Sequence, residues 1–398
     1  MILQEKAEEV LPLGFYFHVP FCSSICDFCS FYQKVPRRDE IKRYLNGMEL
    51  ELKSRPLDRC VDTVFWGGGT PGLLMAKDLQ RLGSAMLKKI MRPPIEWTVE
   101  LAPSTVKKEK LKVLRDLGVT RISMGVESFS DRVLKTLGRQ HSQRQVFQAI
   151  DTINDLGFEN INLDLIFSIP GQMIDDWLSD LKQAIRISPQ HISTYCLTYE
   201  EDTALFIRLS HGKIIKKPKE EDASIYEITR ATLEDAGYNQ YEISNYAVDG
   251  FECLHNKNTW CLYDWIGFGP SAASQYNGRR FANIASLEQW LEGIEKGQPI
   301  IIDNIRLNAE ILAADCLIFG LRMNRGINTE RLQSRFPEIN FSGLHPLWEK
   351  LSRDKYLVIM EDKNIRLTSR GRLVADGIAV EILETFDALK QVSKQFVK

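Results

Sequence analysis

From residue 14 to about residue 200 the chain alternates between two hydrophobic periods. Short apolar runs fall at 15–19, 63–66, 97–101, 121–124, 160–167 and 191–197, bounded by glycine, proline or polar residues. Runs of that length, rich in β-branched and aromatic side chains, predict strands. Between them, apolar positions recur every three or four residues over 39–53, 76–90, 107–117, 143–156 and 174–187. That spacing gathers them on one face of a helix. Strands alternating with helices build a parallel sheet. Six such units predict an α/β fold, a partial (β/α)6 barrel, in which chemistry gathers at the C-terminal ends of the strands.

Residues 198–250 are mostly polar and read as helical. The stretch from Cys253 through His255 to Trp260 shows no helical periodicity and reads as a loop. After Asn304 the pattern changes to an apolar-periodic helix over 307–321, then short helices over 329–336 and 344–351. Apolar runs at 357–360 and 365–367 flank the polar Glu361 and Asp362, which predicts a hairpin. Helices followed by a hairpin suggest a winged-helix-like α+β domain. The expected organisation is a barrel over 1–240, a connecting segment over 241–304 and the α+β domain over 305–398.

Composition narrows the function. The chain has 398 residues with a formal net charge of −2, which gives no signal for binding a polyanion. Glu361 and Asp362 at the hairpin tip also oppose DNA contact. The basic run from Lys213 to Lys219 reads as a solvated face. No apolar stretch approaches the ~18 residues of a membrane span. The start, Met1-Ile2-Leu3-Gln4-Glu5-Lys6, lacks the form of a signal peptide. Eight cysteines without a disulfide framework suit a reducing compartment, so a cytoplasmic protein is expected.

Cys22, Cys26 and Cys29 carry the strongest chemical signal, at the spacing C-x3-C-x2-C directly after the first strand. Thiolates hold iron–sulfur clusters, normally four to a 4Fe–4S unit, so three leave one iron open to a small ligand. Structural zinc would want four ligands, usually from two knuckles, and no second C-x2-C exists. Gly67-Gly68-Gly69-Thr70-Pro71 ends the second strand, where glycines let backbone approach a ligand closely. Glu100 ends the third strand, and Asp164 is a charge within an apolar fifth strand, which requires a partner. Gly267-Phe268-Gly269-Pro270-Ser271-Ala272 superficially reads as GxGxxA. It sits too late in the chain for a dinucleotide fingerprint and carries a proline.

The cysteine spacing and the glycine loop resemble the radical S-adenosylmethionine (SAM) superfamily. The resemblance implies a 4Fe–4S cluster on Cys22, Cys26 and Cys29, with SAM chelating the open iron. More narrowly, the run is similar to the coproporphyrinogen III oxidase-like branch. There Tyr16, Phe28, Gly67, Gly68, Thr70, Glu100, Arg139 and Asp164 fall on SAM-contacting positions. Glu127 stands where that branch usually has glutamine, and Ser168-Ile169-Pro170-Gly171-Gln172 departs mildly from GLPGQ. His255-Asn256-Lys257-Asn258-Thr259-Trp260 resembles the H-N-x-x-Y-W motif of the HemW subfamily, with threonine in place of tyrosine. That resemblance implies heme at His255, with Trp260 available for porphyrin stacking, and a related C-terminal domain covers the barrel mouth.

Three functions share this scaffold: a heme chaperone, an oxygen-independent coproporphyrinogen III oxidase, and a heme-modifying methyltransferase. The oxidase resembles C-x3-C-x2-C-x-C, but Phe31 occupies the position of the fourth cysteine. The resemblance therefore implies a heme carrier rather than the oxidase. Its partners would be heme, a heme-acceptor protein that could be membrane-bound, and an electron donor if SAM is cleaved.

Overall fold

The structure is a computed structural model that describes residues 11–37 and 39–396. Its first half follows the alternation read from the chain: β1 (Leu13–Val19), α1 (Glu40–Ser54), β2 (Thr63–Gly68), α2 (Ala76–Lys89), β3 (Glu96–Leu101), α3 (Lys108–Leu117), β4 (Arg121–Glu127), α4 (Asp131–Thr136), α5 (Gln143–Asp155), β5 (Ile161–Phe167), α6 (Ile174–Ile187) and β6 (His191–Cys196). These six strands lie side by side in chain order, each parallel to the next.

Alternation along the strands sorts the side chains, because successive residues point to opposite faces. Phe15, Phe17, Val64, Trp66, Trp97, Val99, Ile122, Met124, Leu163 and Leu165 are fully buried in the main apolar core. The other parity is polar: Tyr16, His18, Thr63, Thr98, Glu100, Ser123, Asn162, Asp164 and His191 line the inside of the barrel. The expectation of six β–α units holds, and the polar inner face is what makes the barrel a site rather than a second core.

The polar stretch after β6 supplies α7 (Ala204–Ser210) and α8 (Lys219–Asp235). Residues 241–304 were expected to be a separate connecting segment. Most of their strands instead continue the barrel sheet. On one edge β8 (Asn245–Ala247) pairs antiparallel with β6, and β7 (Asn239–Gln240) pairs antiparallel with β8. After α9 (Leu254–Trp260), β9 (Asp264–Phe268) pairs parallel with β1 on the other edge. Then β10 (Ala273–Tyr276), β11 (Arg279–Asn283), α10 (Leu287–Glu295) and β12 (Ile301–Arg306) complete a 12-stranded sheet.

The C-terminal part has its own apolar core, centred on Leu317, Trp348, Ile365 and Ile382. It contains α11 (Ala309–Arg322), β13 (Ile327–Asn328), α12 (Thr329–Arg335), α13 (His345–Arg353), β14 (Leu357–Ile359), β15 (Asn364–Leu367), α14 (Ser369–Arg372) and α15 (Ala375–Phe396). The expected hairpin is β14–β15, and β13 joins it in a three-stranded antiparallel sheet. The 22-residue α15 lies beyond the elements that the pattern predicts.

The α+β domain was expected over the barrel mouth. Its described contacts run elsewhere. Phe319 packs on Trp260 of α9, Met323 bridges Glu242, Asn324 donates to the Gln240 carbonyl, and Asp315 pairs with Arg280. The helix α9 in turn lies against the starts of β1 and β2, the end of the barrel opposite the cysteine loop. The reason is local: Leu262 directly after α9 belongs to the C-terminal core.

Candidate cluster and ligand site

The cysteine loop springs from the C-terminal end of β1 and is tied down by backbone on both sides. Cys22 N–H donates to the Lys34 carbonyl, Thr70 N–H to the Phe21 carbonyl, and Asp27 N–H to the Leu137 carbonyl. Asp27 also accepts from Arg208 at 3.0 Å, and its carbonyl accepts from Leu205 N–H, so α7 braces the loop. Gly138 has φ +72°, and a Cβ there would lie 2.8 Å from Asp27 Oδ1. Thr70 Oγ1 lies 3.6 Å from Cys22 Sγ, and Arg139 Nη1 lies 3.5 Å from Cys26 Sγ.

Burial raises all three thiols, and Cys29 reaches about 11. Such thiols hold iron only by giving up their protons, so binding and proton release are coupled. Arg139 beside Cys26 favours the thiolate. The three thiols thus share one loop, with Thr70 beside Cys22 and Arg139 beside Cys26.

Around this loop the inner face gathers the carboxyl groups of Glu100, Glu127 and Asp164. Glu100 accepts from Gly68 N–H at 3.3 Å, and burial together with Asp164 pushes its carboxyl up to about 8. Asp164 accepts from Ser123 Oγ at 2.9 Å and from Asn162 Nδ2 at 2.9 Å. Glu127 is buried in the left-handed region, φ 58°, and pairs with Arg139. Its Oε2 and Arg139 Nε have no partner among the described residues. The open Glu127 oxygen and the carboxyl groups beside it suit a ligand that carries an ammonium and a ribose diol, as SAM does.

The expected SAM contacts converge here with one distinction. Gly67, Gly68, Thr70, Glu100 and Glu127 lie at the C-terminal strand ends, Tyr16 and Asp164 face inward from the middle of β1 and β5, and Arg139 reaches in from the loop after α4. Phe28 packs with Tyr199 and Ile214 against the apolar group around Leu137 and Ile169. A Cβ on Gly67 would meet Glu100 Oε2 at 2.6 Å. Gly68 has φ +98°, and a Cβ there would meet His18 Nδ1 at 2.4 Å. Its need for glycine is therefore met by the fold itself, before any ligand.

Sequence reasoning passed over His18. It is buried between Tyr16 and Tyr32: its Nε2 donates to the Tyr32 carbonyl at 2.8 Å, and its Nδ1 accepts from the Tyr16 hydroxyl at 3.0 Å. Burial lowers it to about 4, so it stays neutral. The available signal was its polar side chain at an inward position of an apolar strand.

His255 lies elsewhere. The stretch read as a loop is α9, because the buried Glu96 carboxylate accepts from Leu254 N–H at 2.9 Å and His255 N–H at 3.0 Å. That cap comes from β3, far away in sequence. The imidazole is only 8 % exposed, bonds Thr63 Oγ1 at 3.0 Å and packs on Phe65. Gly14 leaves room for it: a Cβ there would sit 3.1 Å from His255 Cε1. Thr259 Oγ1 donates back to the His255 carbonyl at 3.0 Å, and Trp260 packs between Phe319 and Arg322. The porphyrin face expected of Trp260 is thus filled by the C-terminal domain.

Comparison with known proteins agrees with this architecture. The Radical SAM superfamily profile matches residues 16–184. The "Heme chaperone HemW" of Bacillus subtilis is 32% identical over 372 residues, covering 91% of this chain and 97% of that one. The protein of the same name from Escherichia coli is 37% identical over 269 residues, 66% of this chain and 69% of that one. The fold is also that of coproporphyrinogen III oxidase (HemN) from Escherichia coli, with a TM-score of 0.81, 24% identity, and coverage of 95% of this chain and 90% of that one. With a C-x3-C-x2-C loop on a partial barrel, a second domain after it, and HemW proteins matched along almost its whole length, the chain belongs to the HemW family of the radical SAM superfamily.

Proposed function

We propose that this chain binds heme and delivers it to an acceptor protein. The observation that carries the reading is its match to proteins named heme chaperones across 97% of the Bacillus subtilis relative's length. A residue agrees with it. Phe31 is 67% exposed beside Cys29, at the position where the oxidase pattern has a fourth thiol.

Family membership implies a 4Fe–4S cluster and SAM. Cys22, Cys26 and Cys29 would hold the cluster. Tyr16, Phe28, Gly67, Gly68, Thr70, Glu100, Glu127, Arg139 and Asp164 would surround SAM. When bound and reduced, the cluster would be able to supply one electron to SAM. The chain's own residues do the rest. Glu100 and Asp164 place carboxylate opposite positive charge, and Arg139 sets the orientation of Glu127 while approaching Cys26. His18 holds the Tyr16 hydroxyl in one direction. Heme is assigned to the segment around α9, with His255 as its imidazole, which requires α9 to shift. An electron donor enters only if SAM is cleaved. We place the protein in the cytoplasm, on its eight unpaired cysteines. No helix among the described residues is long and apolar enough to cross a membrane.

The test is anaerobic. Reconstituted protein titrated with heme should bind about one equivalent, read from the Soret band. Given SAM, a reductant and coproporphyrinogen III, it should leave that porphyrinogen unchanged. Many turnovers to protoporphyrinogen per chain would overturn the carrier in favour of the oxidase.

A further inference from the structure

Glu127 occupies a conformation that its own backbone resists. It ends β4 with φ 58°, in the left-handed region that side chains rarely adopt. The pairing of β4 with β5 slips there: Gly125 faces Asp164 and Glu127 faces Leu165, so Val126 is the extra residue of a bulge. Bulges beside active sites re-aim a side chain, and a strained conformation persists only where its surroundings over-determine it. Three side chains from outside the strand supply that constraint. Arg139 Nη2 donates to the Gly125 carbonyl at 3.4 Å, and His141 Nε2 to the Val126 carbonyl at 3.1 Å. Beyond the bend, Asp180 on α6 takes two donors directly after Glu127. Its Oδ2 accepts from Ser128 Oγ and its Oδ1 from Phe129 N–H, each at 2.7 Å.

A buried carboxylate is costly unless hydrogen bonds offset its lost hydration. Asp180 is buried, and the other buried residues of α6, Trp177, Leu181 and Ala184, are apolar. Burial raises its carboxyl to about 6, and Ser128 and Phe129 oppose that rise. The carboxylate therefore acts on the bend, and the bend carries one open atom, the buried Glu127 Oε2, which has no partner among the described residues. The other Glu127 oxygen pairs with Arg139, whose Nη1 lies 3.5 Å from Cys26 Sγ. We propose that Asp180 is a positioning residue of the SAM site: by fixing Ser128 and Phe129 it holds Glu127 in the left-handed conformation, with one carboxylate oxygen on Arg139 and the other turned to the ligand. This rests on the SAM reading above and adds a residue that acts through Glu127 rather than on SAM itself.

The experiment titrates full-length, cluster-loaded protein with SAM by anaerobic calorimetry. Asp180→Ala should weaken SAM roughly tenfold, the size of one lost hydrogen bond to a charged group, while cluster absorbance matches the parent. Glu127→Ala should weaken SAM as well. Adding Asp180→Ala to it should cost little more, because a residue that acts only through Glu127 then has nothing left to position. A merely structural Asp180 would instead lower affinity by the same factor in both backgrounds. Asp180→Asn keeps an acceptor for Phe129 N–H and should fall between the parent and Asp180→Ala. It carries the same comparison if the alanine variant loses its cluster. Parent affinity in both Asp180 variants, or losses that multiply in the double variant, would overturn the role. Parent affinity in Glu127→Ala would overturn it too, with the SAM site left standing on its other residues. If the loaded parent binds no SAM, the SAM reading falls and takes this role with it.

Discussion

Glu100 stands half-buried among carboxyl groups on the inner face of the barrel. It accepts one backbone N–H, but desolvation and Asp164 outweigh that bond and raise its carboxyl from 4.5 to about 8. Between those values the folded chain holds more protons than the unfolded one, so stability falls as pH rises from about 4.5 to about 8. The slope is at most about 1.4 kcal/mol per pH unit. Glu100→Gln should remove that part of the slope. Urea unfolding of parent and variant at pH 5 and pH 8 measures it, and identical pH dependence in the two would contradict the assignment. Gly68 teaches a different lesson. Glycine in a loop that meets a ligand invites a variant as a probe of SAM affinity. With φ +98° and the His18 ring in the way, Gly68→Val would disturb the strand end itself and so report on folding.

At the scale of elements, α9 is held by a residue that no local pattern reveals. Its seven residues are too few to be stable alone. Glu96 caps it from β3, and the Thr63, Phe65 and Gly14 slot holds its imidazole. Removing such a cap costs about 1–2 kcal/mol. Glu96→Gln should therefore speed amide hydrogen exchange at Leu254 and His255 by roughly 5- to 30-fold, while the centres of β2 and β3 stay protected. Unchanged exchange at those two amides would show that the cap does not hold the helix. The core strands were easier to read. Val64, Trp66, Val99, Ile122 and Leu163 are apolar because helices cover them, and their alternation with polar inward residues survives in the chain.

For the whole molecule, the question is what the C-terminal domain guards. Its contacts reach α9, Gln240, Glu242 and Arg280, and none of these belongs to the cysteine loop. Its core is separate from the barrel's. Deleting residues 307–398 should leave cluster absorbance and its decay in air close to the parent. A cluster that decays much faster in the truncated protein would restore the domain as a lid over the mouth.

The chain alone determined the alternation of strand and helix, the thiol loop and the glycine loop after β2. These depend on residues close together in sequence, where spacing and side-chain type suffice. It also placed Glu100 at the end of the third strand and Asp164 within the fifth, because both follow from the strand pattern. Only the tertiary structure decided that strands within residues 241–304 join the barrel sheet, since β9 pairs with β1, Asp264 with Leu13, far apart in sequence. The same holds for His255. Its imidazole is visible in the sequence, but its burial depends on Glu96 and Thr63, each brought in from a different strand. Long-range contacts of this kind decide whether such a side chain faces solvent, and no local pattern encodes them.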